Sequence, residues 1–176
     1  MGKVIVYVAT SLDGYIAGKN DDLSWLAAYN IAGEDHGYAE FMENVGTAVL
    51  GARTYDQSRK HPERMLHAVK NYVLSQAPMA IPSGLNVAFY DGDIAELVEH
   101  IKDENDKDIF VVGGGRVISS FLNAHLVDEL LQFVAPVLIR EGILLYSGLA
   151  DKINLRLVDA LPYKTGIVRL RYVPNN

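Results

Sequence analysis

The 176-residue chain contains no cysteine. That excludes a disulfide framework, thiolate zinc or iron–sulfur sites and a thiol nucleophile, and it fits a reducing compartment. Basic charge is in deficit as well: 16 Lys and Arg stand against 22 Asp and Glu, a formal net charge of −6. A phosphate backbone selects basic surface, so nucleic acid is not expected as a partner. Long apolar runs are missing. Ile109 to Gly115 and Phe133 to Ile139 fall far short of the roughly 18 residues a membrane-spanning helix needs. The apolar N-terminal run meets Thr10-Ser11-Leu12-Asp13 with no small-residue cleavage site and reads as a strand, not a leader. The expectation is a cytoplasmic protein without a membrane partner. His36, His61, His67, His100 and His125 form no i,i+4 pair and no H-E-x-x-H, so metal ligation has no motif. There is no G-x-S-x-G to support serine hydrolysis.

What is present is an ordinary globular composition, 49% hydrophobic and 22% charged, of a length that predicts one domain over residues 1–176. Val4 to Ala9 is a continuous, largely β-branched run, as a strand covered on both faces requires. Ala48 to Leu50, Tyr72 to Leu74, Val87 to Phe89 and Ile109 to Val112 are similar. Between them, Tyr38, Phe41, Met42 and Val45 recur at helical spacing, as do Ile94, Leu97, Val98 and Ile101 behind an Asp93 cap. Val117, Ile118, Phe121 and Leu122 make a third helical stripe. Strands alternating with helices imply crossovers and a parallel sheet. Towards the end, Leu130 to Ile139 reads as one long strand and Leu155 to Val158 as another. Ile167 to Val173 alternates apolar residues with Arg169 and Arg171, the pattern of an antiparallel edge strand with one wet face. The fold class expected is α/β: a mixed sheet of about eight strands, antiparallel at its C-terminal end, with about four helices on its two faces.

Four loops leave the carboxyl ends of these strands, where open α/β sheets bind ligands. Val112-Gly113-Gly114-Gly115-Arg116-Val117 carries a buried strand through three glycines into a helix start. Free N–H groups there, with Arg116 beside them, suit an anion, and glycine lets it approach the backbone. This is neither G-x-G-x-x-G nor a Walker loop, and a plain tight turn accounts for it equally well. Gly51-Ala52-Arg53-Thr54 repeats the same logic, and a ligand with two phosphates would bridge the two turns. Thr10-Ser11-Leu12-Asp13-Gly14 adds a carboxylate, and Ser75-Gln76 adds polar side chains. Trp25 reads as a core or dimer contact or, following the Asp13 loop, as a ligand platform. The acidic Glu34-Asp35 and Glu40, Glu43 read as a solvated helix face.

Taken in order, Thr10-Ser11-Leu12-Asp13-Gly14-Tyr15-Ile16-Ala17, Asp22-Leu23-Ser24-Trp25-Leu26, Phe41 with Val45, Gly51 with Thr54-Tyr55, Val73-Leu74-Ser75, Val112 to Val117 and Pro136-Val137-Leu138 resemble the dihydrofolate reductase superfamily. They look most like its stand-alone members similar to the C-terminal reductase domain of riboflavin-biosynthesis deaminase/reductases. The resemblance implies a dihydrofolate reductase-like three-layer fold and an NADPH site. Ala9, Ile16 and Ala17 would line the nicotinamide. Gly51 and Thr54 would hold the pyrophosphate from one side, and Val112, Gly114, Gly115, Arg116 and Val117 from the other. Arg53, Ser75 and Gln76 would lie near the adenosine 2′-phosphate. A cis peptide is implied between Gly113 and Gly114.

Ala52 stands where the family usually has arginine, and Gln76 where arginine often follows the serine. Both changes remove positive charge from the 2′-phosphate position, so NADH is admitted beside NADPH. Arg140 replaces a frequent glycine. Asp13 is the candidate catalytic group, with Ser11 and Trp25 on the substrate side. The function implied is hydride transfer to a small heterocycle, pterin-like or ribosylaminouracil-like, by a homodimer that pairs through the C-terminal strands. The alternative is a non-catalytic dinucleotide-binding protein on the same fold.

Overall fold

The computed structural model describes residues 1–61 and 65–175. In chain order the elements are β1 Val4–Ser11, β2 Tyr15–Ala17, α1 Ser24–Ala27, α2 Tyr38–Asn44, β3 Val45–Gly51, α3 Ala52–Ser58, β4 Lys70–Leu74 and β5 Val87–Tyr90. There follow α4 Ile94–Glu104, β6 Asp108–Gly113, α5 Gly115–Asn123, β7 Glu129–Ala135, β8 Ile143–Leu144, β9 Leu155–Pro162 and β10 Val168–Pro174. Eight strands form one sheet in the order β5-β4-β3-β6-β1-β7-β10-β9, and β2 pairs with β8 in a separate ribbon. The pairs from β5 through to β7 are parallel, and β10 runs antiparallel to both β7 and β9. This is the expected mixed α/β sheet.

The continuous apolar strands are explained by cover on both faces. On one face Val4, Val6, Val8, Ile109 and Val111 pack against Leu97, Val98 and Ile101 of α4 and Ile118, Phe121 and Leu122 of α5. On the other, Ala48 and Phe110 meet Phe41 and Met42 of α2, while Leu50 and Val73 meet Tyr55 of α3. Helix α4 begins as its sequence predicts, with the Asp93 carboxylate accepting from the N–H groups of Ala95 and Glu96.

Three readings change. β7 ends at Ala135, four residues before the expected Ile139. Pro136 has no N–H for the ladder, and Leu138 is exposed. β10 is one strand in from the edge, which β9 occupies. Its residues are all half-buried, with no clean alternation. The reason is that Arg169 and Arg171 lie along the sheet, paired with Asp159 and Glu129. The β2–β8 ribbon and the single turn of α1 were not foreseen, because segments of two to four residues carry no readable period. Among the described residues no helix is long and apolar enough to cross a membrane.

Candidate active site

Strands β3 and β6 are neighbours, yet the chain leaves them in opposite directions. From β3 it runs through α3 to β4, and from β6 through α5 to β7. A crevice opens at the carboxyl ends of such a pair, the switch point where α/β sheets take ligands. The two glycine turns face each other across it. A Cβ at Gly51 would stand 3.0 Å from Val117 Cγ2, and one at Gly114 would stand 3.4 Å from Thr54 Oγ1 and 4.0 Å from Ile16 Cδ1. A Cβ at Gly115 would stand 3.6 Å from the same Ile16 atom. Gly51, Thr54, Gly114, Gly115, Val117 and Ile16 are thus brought together. The Gly113–Gly114 peptide is cis, and Gly113 takes φ = +114°, open to glycine and little else. Ala17 is buried in β2, Ala9 is half-buried on β1, and Val112 packs beneath the turn. Arg116 is exposed on the first turn of α5.

The Arg53 side chain is exposed and ion-paired. Its guanidinium binds the Asp21 carboxylate at 2.8 and 3.3 Å, and Gln57 Nε2 donates to the same carboxylate at 3.3 Å. Beyond it, at the ends of β4 and β5, lies a cavity of about 540 Å³ lined by Ala52, Leu74, Ser75, Gln76, Ala77, Tyr90, Asp91, Gly92 and Ile94. Ser75 and Gln76 therefore share a cavity wall. The Ser75 hydroxyl is already used within its own turn, donating to the Ala77 carbonyl at 2.7 Å.

A second cavity, about 350 Å³, opens at β1 and β7, on the far side of the glycine turns from the first. Its walls include Tyr7, Ala9, Tyr29, Glu34, His36 and Phe133. The rings of Tyr7 and Phe133 lie 4.3 Å apart. Burial, with Tyr163 and Asp35 nearby, pushes the Tyr7 phenol far up, so it stays protonated and donates to the His36 carbonyl. Glu34 Oε1 accepts from the His36 N–H at 2.9 Å. Its Oε2 has no partner among the described residues. Asp35, on the same rim, is held below the usual carboxylate range by the N–H groups of Ala39 and Gly37. The acidic pair read as a solvated helix face thus sits in the turn before α2, at the cavity mouth. Tyr7 was legible in principle, because it lies two residues before Ala9 on one strand and shares its face. Trp25, on α1, packs beside this cavity against the Phe133 cluster, and its Nε1 is buried without a partner.

Asp13 and Ser11 are engaged with each other and with the backbone. Asp13 Oδ1 accepts from the Ser11 hydroxyl at 2.6 Å and the Ile139 N–H at 3.2 Å, and Oδ2 accepts from the Arg140 N–H at 2.8 Å. The Ser11 hydrogen bond first, then those from Arg140 and Ile139, hold the Asp13 carboxyl below its ordinary value. A carboxylate holding these three hydrogen bonds suits anchoring a loop. The loop it anchors contains Arg140 at φ = +68°, the left-handed region where glycine is easier.

The model of the RibD C-terminal domain family matches residues 2–169. YyaP of Bacillus subtilis strain 168, described as an uncharacterized protein, is 29% identical over 182 residues, covering 97% of this chain and 94% of YyaP. A crystal structure from Shewanella sp. PV-4, of a protein provisionally named for riboflavin biosynthesis, matches with a TM-score of 0.89 at 26% identity over 99% of each chain. Dihydrofolate reductase from Enterococcus faecalis, solved with NADP(H) and RAB-propyl, shares the fold with a TM-score of 0.67 at 16% identity, over 99% of this chain and 98% of that one. The architecture is therefore dihydrofolate reductase-like, and the chain belongs to the RibD C-terminal domain family.

Proposed function

We propose that this protein is a reductase that takes NADPH or NADH and reduces a flat heterocycle of pterin or aminopyrimidine size. The observation that carries the reading is the order of features along the carboxyl edge of the sheet. A cavity at β4 and β5 is followed by paired glycine turns at β3 and β6, then by an aromatic cavity at β1 and β7. That sequence of spaces suits an adenosine, a pyrophosphate, and a nicotinamide beside its substrate. When bound, the reduced nicotinamide supplies a hydride to a C=N or C=O bond; the protein supplies position and electrostatics.

The N-terminal turn of α5 and the Gly113–Gly115 backbone offer N–H groups to the pyrophosphate, with the Thr54 hydroxyl opposite. Ile16 and Ala9 border the nicotinamide. Tyr7 and Phe133 wall the substrate space and exclude water, and Glu34 Oε2 can accept an N–H from a heterocycle. Trp25 supports that wall from behind, packed against the Phe133 cluster. Asp13 acts through the 138–140 loop as a positioning residue.

The test is titration of the full chain with NADPH and NADH, followed by turnover on a panel of pterins and pyrimidines. Ligand at 100 times its dissociation constant stabilises by about 2.7 kcal/mol, readily seen as a thermal shift. No shift with either dinucleotide overturns the reading. Binding without any turnover favours the non-catalytic alternative.

A further inference from the structure

The cavity at the ends of β4 and β5 is unusual for a place meant to hold a phosphate. Among the described residues, its lining holds one carboxylate, Asp91, and no lysine or arginine. A phosphate monoester carries about −1.5 to −2 charges at neutral pH, and guanidinium groups are its strong partners. The nearest sequence neighbour able to serve is Arg53, one residue past Ala52, and its guanidinium is already bound to Asp21. Releasing it would leave a carboxylate only 21% exposed with Gln57 Nε2 as its remaining donor.

The other positive feature nearby is spent as well. Ile94 opens the eleven-residue helix α4 at the cavity wall, but the Asp93 carboxylate already takes the N–H groups of Ala95 and Glu96, at 2.7 and 3.2 Å. Tyr90, on the same wall, registers the local field: burial first, then the charges of Glu96, Asp93 and Asp91, push its phenol up. The Asp91 carboxylate has no hydrogen-bond partner among the described residues. A lone carboxylate repels a phosphate and accepts from a ribose hydroxyl, which is how dinucleotide sites with an acidic residue favour the unphosphorylated form.

We infer that this cavity selects a dinucleotide whose adenosine ribose keeps a free 2′-hydroxyl, with Asp91 as the residue that makes the selection. The inference rests on the dinucleotide reading above and deepens it.

The experiment measures dissociation constants of the full chain for NADH and NADPH by nicotinamide fluorescence at 0.15 M salt, with 5′-AMP and 2′,5′-ADP as competitors to isolate the adenosine end. The wild-type protein is expected to bind NADH at least tenfold more tightly than NADPH, and 5′-AMP more tightly than 2′,5′-ADP. Asp91→Asn is expected to remove most of that ratio, and Ala52→Arg with Asp91→Asn to reverse it. Equal or tighter NADPH binding by the wild-type protein, or a ratio untouched by Asp91→Asn, overturns the selection and leaves the dinucleotide reading standing. Failure of both dinucleotides to bind overturns the two together.

Discussion

Replacing Gly115 by alanine puts a methyl group where two carbonyl oxygens already stand. The new Cβ would lie 2.7 Å from the Leu144 oxygen and 3.0 Å from that of Leu145. Ordinary C···O contacts begin near about 3.3 Å, so the end of β8 or the start of α5 must retreat by roughly half an ångström. Neither obstacle is a side chain that can rotate away. Overpacking of this kind costs about 1–3 kcal/mol. Helix propensity pulls the other way, since alanine is favoured over glycine inside a helix by at most about 1 kcal/mol. The net expectation is a loss of about 1–2 kcal/mol, or about 2–8 °C in Tm for a chain of this size.

The same shift reaches the ligand site. β8 pairs with β2, the Leu145 N–H donates to the Gly14 carbonyl, and Ile16 of β2 borders the crevice. Gly115→Ala should therefore weaken dinucleotide binding as well as lower Tm. Gly84→Ala is the control. Gly84 has φ = +83° with nothing within 4 Å of its Cβ position, so it carries only the backbone cost of about 1–2 kcal/mol and leaves ligand affinity unchanged. Thermal unfolding and fluorescence titration of the two variants decide the matter. A Gly115→Ala protein with unchanged or raised Tm, or with wild-type dinucleotide affinity, refutes the reasoning.

Glu129, only 7% exposed, holds Lys3 at 2.6 Å and Arg171 through two bonds of 2.9 Å. Burial pushes its carboxyl up, but the hydrogen bonds and charges of Arg171 and Lys3 outweigh that and hold it below the ordinary 4.5. A depressed folded-state value gives stability that is present above about pH 4.5 and lost as pH falls further. Because both cations are more than a third exposed, Glu129→Gln should cost only about 1–2 kcal/mol at pH 7, a gap that urea unfolding at lower pH should find narrowed. Asp13→Asn should speed hydrogen exchange at the Ile139 and Arg140 amides and lower turnover without moving the pH profile; a displaced acid limb would restore a proton-transfer role to Asp13. We also propose that the chain pairs through β9, whose outer edge has no neighbouring strand among the described residues and which exposes Leu155, Leu157, Val158 and Leu161. Light scattering should then give twice the 19.4 kDa of one chain, and Leu157→Lys should halve it.

Much of the fold was legible because its causes are local. A β-branched run entering glycine and then a helix start marks the handovers at Gly51 and Gly113–Gly115, and Asp93 before Ile94 marks a cap two and three residues from the N–H groups it binds. Side-chain partnerships across the fold were not legible. Asp21 claims Arg53 from 32 residues away, and Asp13 anchors amides at Ile139 and Arg140, 126 and 127 residues on. Tyr7, Glu34 and Phe133 share a cavity only because β1 and β7 are neighbours and the turn before α2 folds over them. By itself the sequence determined which strands hand over to which helices, since backbone conformation, capping and periodicity act within a few residues. Tertiary structure alone decided which charges remain free for a ligand, because a carboxylate or guanidinium is neutralised by whatever the packed sheet brings within about 3 Å of it.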